Sequence, residues 1–337
     1  MKIGIALGSG AARGWAHIGV IQALEKLGVR IDVVAGCSIG AYVGAAYASG
    51  HLEGLKEWAC SLTEWQTLSL MGIGIRRGGL ASGQKVFDKL AGEFCAPTFE
   101  EMQKPFACVA TDLYSGREVV FNQGEVGQSI QASCAIPALF SPISHNDRWL
   151  VDGAVVNPVP VNLCRQLGAD FVIAVNLNAD FRPLQIARQT QKHKQNQEKN
   201  EHFFKKSQDV VRQWFSPETK EDNNKQSPGI LGVMSSSLEI LQARVTRSRL
   251  AGEPPDILIE PPLTDVGLMD FHRATELCET GEQVIQRLAE QIRYQLVLDE
   301  VIPADAIESP EADASETSAE SDSLPEADSD TESENKE

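Results

Sequence analysis

Three short stretches carry residues that could do acyl chemistry. In Gly36-Cys37-Ser38-Ile39-Gly40 a serine stands between glycines, directly after the apolar run Ile31-Asp32-Val33-Val34-Ala35 and before the small residues Ala41, Gly44, Ala45, Ala46 and Ala48. A strand that delivers a serine through so tight a turn leaves its hydroxyl exposed at a helix N-terminus, the geometry of a nucleophile elbow. Upstream, Gly8-Ser9-Gly10-Ala11-Ala12-Arg13-Gly14 follows the apolar Lys2-Ile3-Gly4-Ile5-Ala6-Leu7 and leads into a helical pattern of Ile18, Ile21, Leu24 and Leu27, with Gly28 at the expected C-cap. A glycine-rich turn of this kind points backbone N–H groups outward in the positive field of a helix dipole, where they can hold a phosphate or an oxyanion. The third stretch is Trp149-Leu150-Val151-Asp152-Gly153-Ala154, an acid at the end of an apolar run. It reads either as an ordinary turn or as a base for Ser38.

The two uses of the glycine turn require different neighbours. A dinucleotide site needs an acid near the end of the second strand, to take the ribose hydroxyls. The acid on that strand, Asp32, sits near its start, and the end carries Gly36-Cys37-Ser38. Successive β-α units place both turns at one edge of a parallel sheet, so the serine hydroxyl and the amide cluster become neighbours. A carboxylate is a weak base toward an alcohol. Asp152 can serve only if partial burial raises its pKa and the turn's amides carry the developing negative charge.

These three elements, in this order, resemble the patatin-like phospholipase family and are close to its bacterial RssA-like branch. The resemblance implies a serine acyl hydrolase of phospholipid or lysophospholipid esters, with Ser38 as nucleophile, Asp152 as base, and Gly153 and Ala154 completing the acid's motif. It further implies Gly8, Ser9, Gly10, Ala11 and Gly14 as an oxyanion loop with Gly10, Ala11 and their neighbours as donors, Arg13 orienting that loop, and Gly36 and Gly40 flanking the elbow. The stretches Ala107-Cys108-Val109-Ala110-Thr111-Asp112-Leu113 and Ala132-Ser133-Cys134-Ala135-Ile136-Pro137 are also family-like. Ala11 stands where the family often has glycine. A Cβ narrows the loop's freedom there, but an alanine N–H can still point correctly.

Most serine hydrolases use a histidine, and the chain has six: His17, His51, His145, His193, His202 and His272. A Ser-acid-His triad in α/β-hydrolase order would need one of the last three. His193 and His202 lie in a long polar stretch, His272 opens a late helix, and none stands beside a conspicuous strand-end turn. All six read as surface or packing residues and the dyad is preferred. A carboxylesterase with a triad, and a regulatory or scaffolding protein that keeps the hydrolase fold, are the alternatives. The seven cysteines (37, 60, 95, 108, 134, 164 and 278) contain no C-x-x-C pair and read as reduced thiols of a cytoplasmic protein. Cys37 reads as a small strand-end residue. No His, Cys or carboxylate grouping has metal-ligand spacing, and no metal or cofactor is expected.

The formal charge of −17 is concentrated at one end: residues 299–337 hold 15 acids and one lysine, and the first 298 are close to neutral. This gives no sign of nucleic-acid binding and predicts one domain over 1–298 followed by an acidic, disordered tail. No apolar run approaches the length that spans a bilayer, and the start lacks a signal-peptide pattern. Strand candidates at 106–113, 118–121, 149–151, 171–177 and 257–260 alternate with helical patterns near 53–68, 82–92, 126–134, 158–167, 233–251 and 270–298. That alternation predicts a three-layer α/β/α fold with a mainly parallel central sheet. The segment 65–79 is unusually apolar and would line an acyl pocket, cover it as a lid, or pack in the core. The stretch 182–225 carries ten Lys and Arg against six acids, with Phe203, Phe204, Val210, Val211, Trp214 and Phe215 at helical spacing. A basic amphipathic helix of that kind lies on an anionic membrane surface, or docks its aromatic face on the body or a second copy. Peripheral membrane contact and oligomeric state stay open at this point.

Overall fold

The computed structural model describes residues 1–71, 73–76, 79–81, 83–179, 230–263 and 265–297; the basic stretch 182–225 and the acidic tail 299–337 lie outside them. Short runs of β-branched and small apolar residues form the central strands. β1 (Ile3–Leu7), β2 (Val33–Cys37), β5 (Phe106–Asp112), β9 (Phe171–Val175) and β10 (Ile257–Ile259) lie in the order β10-β9-β1-β2-β5, every pair parallel. All five residues of β1 and of β2 are buried, as strands covered on both faces require. Alternate residues divide between two apolar layers. Ile5, Leu7 and Val34 face α1 (Ala16–Lys26), α2 (Ile39–Ala48) and α9 (Ala274–Leu296), whereas Ala6, Val33 and Ala35 face α7 (Val161–Gln166) and the end of α8 (Ile230–Gly252). The result is the three-layer architecture anticipated from the sequence, with a mainly parallel sheet.

The differences are local. The helical pattern at 53–68 divides into α3 (Leu52–Ser61) and α4 (Glu64–Met71). Thr63 starts the second helix: its Oγ1 accepts from the Gln66 amide at 3.3 Å, and the Gln66 side chain accepts from the Thr63 amide at 2.9 Å, a reciprocal capping box. The apolar 65–79 segment supplies most of α4 and runs into a separate hairpin, β3 (Ile73–Arg76) with β4 (Gly79–Ala81). Among the described residues no helix is long and apolar enough to cross a membrane.

The feature that positions the site is on β5. β6 (Glu118–Phe121) pairs antiparallel along one edge of β5. The other edge is shared by two strands in succession. β2 runs parallel to it as far as Cys37 opposite Val109, and β8 (Arg148–Asp152) runs antiparallel to it, ending with Asp152 opposite Ala110. β2 and β8 therefore meet head to head at adjacent rungs, and both chains must turn away at once. β7 (Ile143–His145) extends the sheet beyond β8. The chain leaves β8 through Gly153, where a Cβ would collide with the Val109 carbonyl oxygen. Backbone cannot yield there, so Gly153→Ala should lower the unfolding free energy by at least ~2 kcal/mol. Gly92→Ala, whose Cβ would meet nothing within 4 Å, should change it little; denaturant unfolding of the two variants checks this.

Candidate active site

Ser38 is the first residue after β2 and the N-cap of α2, with φ 55° and ψ −124°. An L-residue rarely adopts that conformation, and surrounding contacts must hold it. The flanking glycines permit the turn: a Cβ on Gly36 would come within 2.5 Å of the Ala41 Cα, and one on Gly40 would strike the Leu7 carbonyl. The Ser38 amide donates to Ser133 Oγ at 2.9 Å, and Ser133 is completely buried at the end of α6 (Val126–Ser133).

Asp152 faces Ser38 across the junction of β2 and β8. Ser38 Oγ donates to Asp152 Oδ2 at 2.6 Å, and the Ala154 amide donates to Oδ1 at 2.8 Å. The backbone of Asp152 is pinned as well. Its amide donates to the Ala135 carbonyl and its own carbonyl accepts from Thr111 Oγ1, both at 2.9 Å. The segment 133–135 thus holds both halves of the pair, Ser38 through Ser133 and Asp152 through Ala135. Asp152 is 2% exposed. Burial pushes its carboxyl up to about 7, against the opposing pull of the bonds from Ser38 and Ala154.

In the glycine turn nearly every backbone group is committed. The Gly8 amide donates to the Val175 carbonyl, the Ser9 amide to the Pro158 carbonyl, the Ala12 amide to the Leu268 carbonyl and the Arg13 amide to the Gly10 carbonyl, at 2.9–3.1 Å. The Gly8 carbonyl faces His17 Nε2 at 2.8 Å, and the Ser9 carbonyl accepts from Asn178 Nδ2 at 3.1 Å. Arg13 donates to Asn178 Oδ1 at 3.1 Å and to the Val266 carbonyl at 3.0 Å, so its guanidinium braces the turn from outside. Two donors remain: no described residue accepts from the Gly10 or Ala11 amide. Of the loop positions singled out in the sequence, Gly8 and Ser9 have spent their N–H groups on the scaffold, and Gly14 is small because Ile39 packs on it. Ala11 takes φ 48°, a left-handed conformation in which alanine is strained and glycine is not. Its methyl group costs the loop more than its sequence context suggested.

Ala11 and Ser38 line one half-open cavity, about 700 Å3 when the solvent-filled space at its opening is included. Its wall is built from distant segments, among them Trp15, Tyr42, Trp58, Leu70, Phe140 and Phe271. Three polar atoms of that wall are already engaged: Tyr42 Oη donates to the Val86 carbonyl, Thr67 Oγ1 to the Thr63 carbonyl and Trp15 Nε1 to the Phe271 carbonyl, each at 3.1 Å. The cavity offers an incoming group hydrocarbon contact and little else. Thr67 and Leu70 bring the apolar 65–79 segment into its lining.

No described histidine bonds to Ser38 or Asp152. His272 is exposed on the turn Phe271–Arg273, His17 is buried, and His193 and His202 lie outside the described residues. All seven cysteines are free. Burial pushes the Cys37 and Cys134 thiols well up, with the Asp152 carboxylate adding to the rise, so both stay protonated beside the serine. Sequence reasoning missed Ser133, which sat inside the family-like stretch 132–137 without an assigned part. It also missed His17, an unremarkable helical residue until its contact with Gly8 is seen.

The model of the patatin-like phospholipase family matches residues 5–165, which contain the glycine turn, the elbow and Asp152. An uncharacterized NTE family protein of Mycobacterium tuberculosis is 30% identical over 329 residues, covering 86% of this chain and 91% of that protein. A lysophospholipase, nte1, of Neurospora crassa is 26% identical over 88% of this chain but only 19% of its own length. Among solved structures, human GIVD cytosolic phospholipase A2 is similar over 88% of this chain and 60% of its own, with 14% identity and a TM-score of 0.41. By the family model and by near-complete alignment with its NTE-type relative, the chain belongs to the patatin-like phospholipase family.

Proposed function

We propose that the protein is a serine acyl hydrolase of lipid esters, phospholipid or lysophospholipid in class, working through a Ser38–Asp152 dyad. The observation that carries this reading is the 2.6 Å hydrogen bond to a buried carboxylate from the hydroxyl of Ser38, which lines an apolar cavity. Ser38 Oγ attacks the ester carbonyl carbon as its proton passes to Asp152 Oδ2. The carbonyl oxygen gains negative charge and is received by the free amides of Gly10 and Ala11, in the field at the start of α2. Collapse of the tetrahedral adduct breaks the bond to the alcohol, which leaves with the proton held by Asp152. Water, deprotonated by the same carboxylate, then releases the acyl group from Ser38. The hydrocarbon chain lies in the cavity, and its polar head stays outside.

A carboxylate with a pKa near 7 suits the part. About half of it is ionised at neutral pH, and it is basic enough to take a proton in the transition state. Membership of the family and the lysophospholipase relatives support the substrate class, and the predominantly apolar lining supports an unmodified acyl chain. The polar stretch 182–225 and its peripheral membrane role remain part of this proposal, as does a place near the RssA-like branch.

Hydrolysis of nitrophenyl esters, with chelator present, tests the reading. Ser38→Ala and Asp152→Asn should each reduce turnover at least ~10³-fold, and His272→Ala should leave it intact; survival of turnover in Ser38→Ala ends the dyad. With wild type, kcat/KM should rise by about fourfold per added methylene until the cavity is full. A flat series would contradict the acyl assignment. The carboxyl of Asp152 also links pH to stability. Its folded pKa lies above its unfolded value, so wild type loses stability as pH rises from about 4 to about 7. Asp152→Asn should escape that loss, gaining on the order of 4 kcal/mol over wild type above pH 7 and losing its advantage below pH 4, as thermal unfolding across pH would show.

A further inference from the structure

Among the described residues the proposed reaction leaves one buried imidazole without a part. His17, on the first turn of α1, is 0% exposed. Its Nε2 lies 2.8 Å from the Gly8 carbonyl oxygen, and its Nδ1 has no hydrogen-bond partner. A carbonyl oxygen can only accept, so Nε2 carries the proton and Nδ1 bears a buried lone pair. Burial pushes the imidazolium's pKa down to about 4, and the ring is neutral wherever Asp152 is ionised. An unpaired buried nitrogen is a cost that a phenylalanine in the same space would avoid. The cost is offset only by what the Nε2–H does.

What it does follows from the turn. Position 8 has to be glycine, because a Cβ there would come 2.6 Å from the Val175 carbonyl oxygen. Glycine, however, resists peptide rotation less than any other residue. The Gly8–Ser9 peptide is held at its N–H side by the Pro158 carbonyl and at its carbonyl side by His17. The next two peptides carry the free amides of Gly10 and Ala11. We propose that His17 is a positioning residue, whose Nε2–H on the Gly8 carbonyl fixes the first peptide of the turn and so aims the Gly10 and Ala11 amides at the reaction's oxyanion. The proposal rests on the dyad and on those amides as its oxyanion donors.

Three substitutions separate this from a packing role. The side-chain nitrogen of Gln reaches the place of Nε2, that of Asn stops near Nδ1, and Phe has no donor. Each variant is counted by active-site titration before kinetics. In His17→Phe and His17→Asn, kcat should fall by about 100-fold with KM changed by less than about twofold, and His17→Gln should regain at least about tenfold of the loss. Affinity for an alkyl trifluoromethyl ketone, whose adduct with Ser38 bears an oxyanion, should fall in parallel with kcat. The acid limb of kcat/KM should stay near pH 7 in His17→Gln, because Asp152 is the titrating group. A packing role would lower the melting temperature and the titrated fraction while leaving kcat per site unchanged. Equal kcat per site in wild type, His17→Asn and His17→Gln overturns the proposal even if His17→Phe fails to fold. Displacement of the acid limb in His17→Gln overturns it too, since His17 would then be titrating. If those variants are unaffected while Ser38→Ala and Asp152→Asn are inactive, only the positioning role falls. Turnover surviving Ser38→Ala would instead remove the dyad itself.

Discussion

The site depends on one constraint: two strands end against the same edge of β5, one rung apart, running toward each other. β2 stops at the rung of Val109 and β8 at the rung of Ala110. Neither chain can continue, so each turns sharply where the other ends. Ser38 begins one turn and Asp152 ends the strand before the other, which brings residues 114 positions apart to 2.6 Å. Glycine is required at these turns by three different neighbours, α2 at Gly36, β1 at Gly40 and β5 at Gly153. Gly36, Gly40 and Gly153 each lie where a Cβ would meet backbone atoms that cannot move aside. Strain at Ser38 is held by the same meeting of elements, because α6 ends just where Ser133 can take the Ser38 amide and Ala135 the Asp152 amide.

Burying a carboxylate between two strand ends has an energetic side. The charged form is disfavoured, and the hydrogen bonds from Ser38 and Ala154 recover only part of what water would supply. The consequence is a base matched to neutral pH without an imidazole. Such a pair can move a proton over one hydrogen bond, but it cannot by itself hold the negative charge that the attack creates. In the proposed reaction that charge goes to the turn after β1, where no described residue accepts from the Gly10 or Ala11 amide. Sheet order makes this possible: β1 lies beside β2, so the turn and the elbow sit at the same end of adjacent parallel strands.

The elements legible in the sequence were those whose backbone demands rare residue types. Glycines around Ser38, glycine after Asp152 and the glycine-rich first turn announce tight geometry, and the alternation of strands and helices announced the layers. Strand direction carries no such signal. A run like Arg148–Asp152 reads the same whether it pairs parallel or antiparallel, so the head-to-head junction and the edge strand β7 emerge only from the register. Thr63 and Gln66 were a capping signal in plain sequence, passed over because the apolar pattern of 53–68 runs through it. His17 and Ser133 are ordinary residue types on ordinary helices, and their contacts depend on where those helices dock. Of the cavity the sequence offers only the apolar 65–79 segment, since the rest of the wall is assembled from segments scattered between Ala11 and Phe271. Ala11 is the instructive case of a residue whose tolerance was overestimated, because φ is not visible in a residue name.

Tyr42, Thr67 and Trp15 turn their polar atoms onto backbone carbonyls, and the lining around Ser38 is predominantly apolar. The central claim is that Ser38 is activated by Asp152 alone. The most direct test is the rate at which an alkyl fluorophosphonate labels Ser38 as a function of pH, in wild type and in Asp152→Asn. The rate should climb through about pH 7 and level off in wild type, and both the climb and most of the rate should disappear in the variant. An unchanged profile in Asp152→Asn would contradict the account.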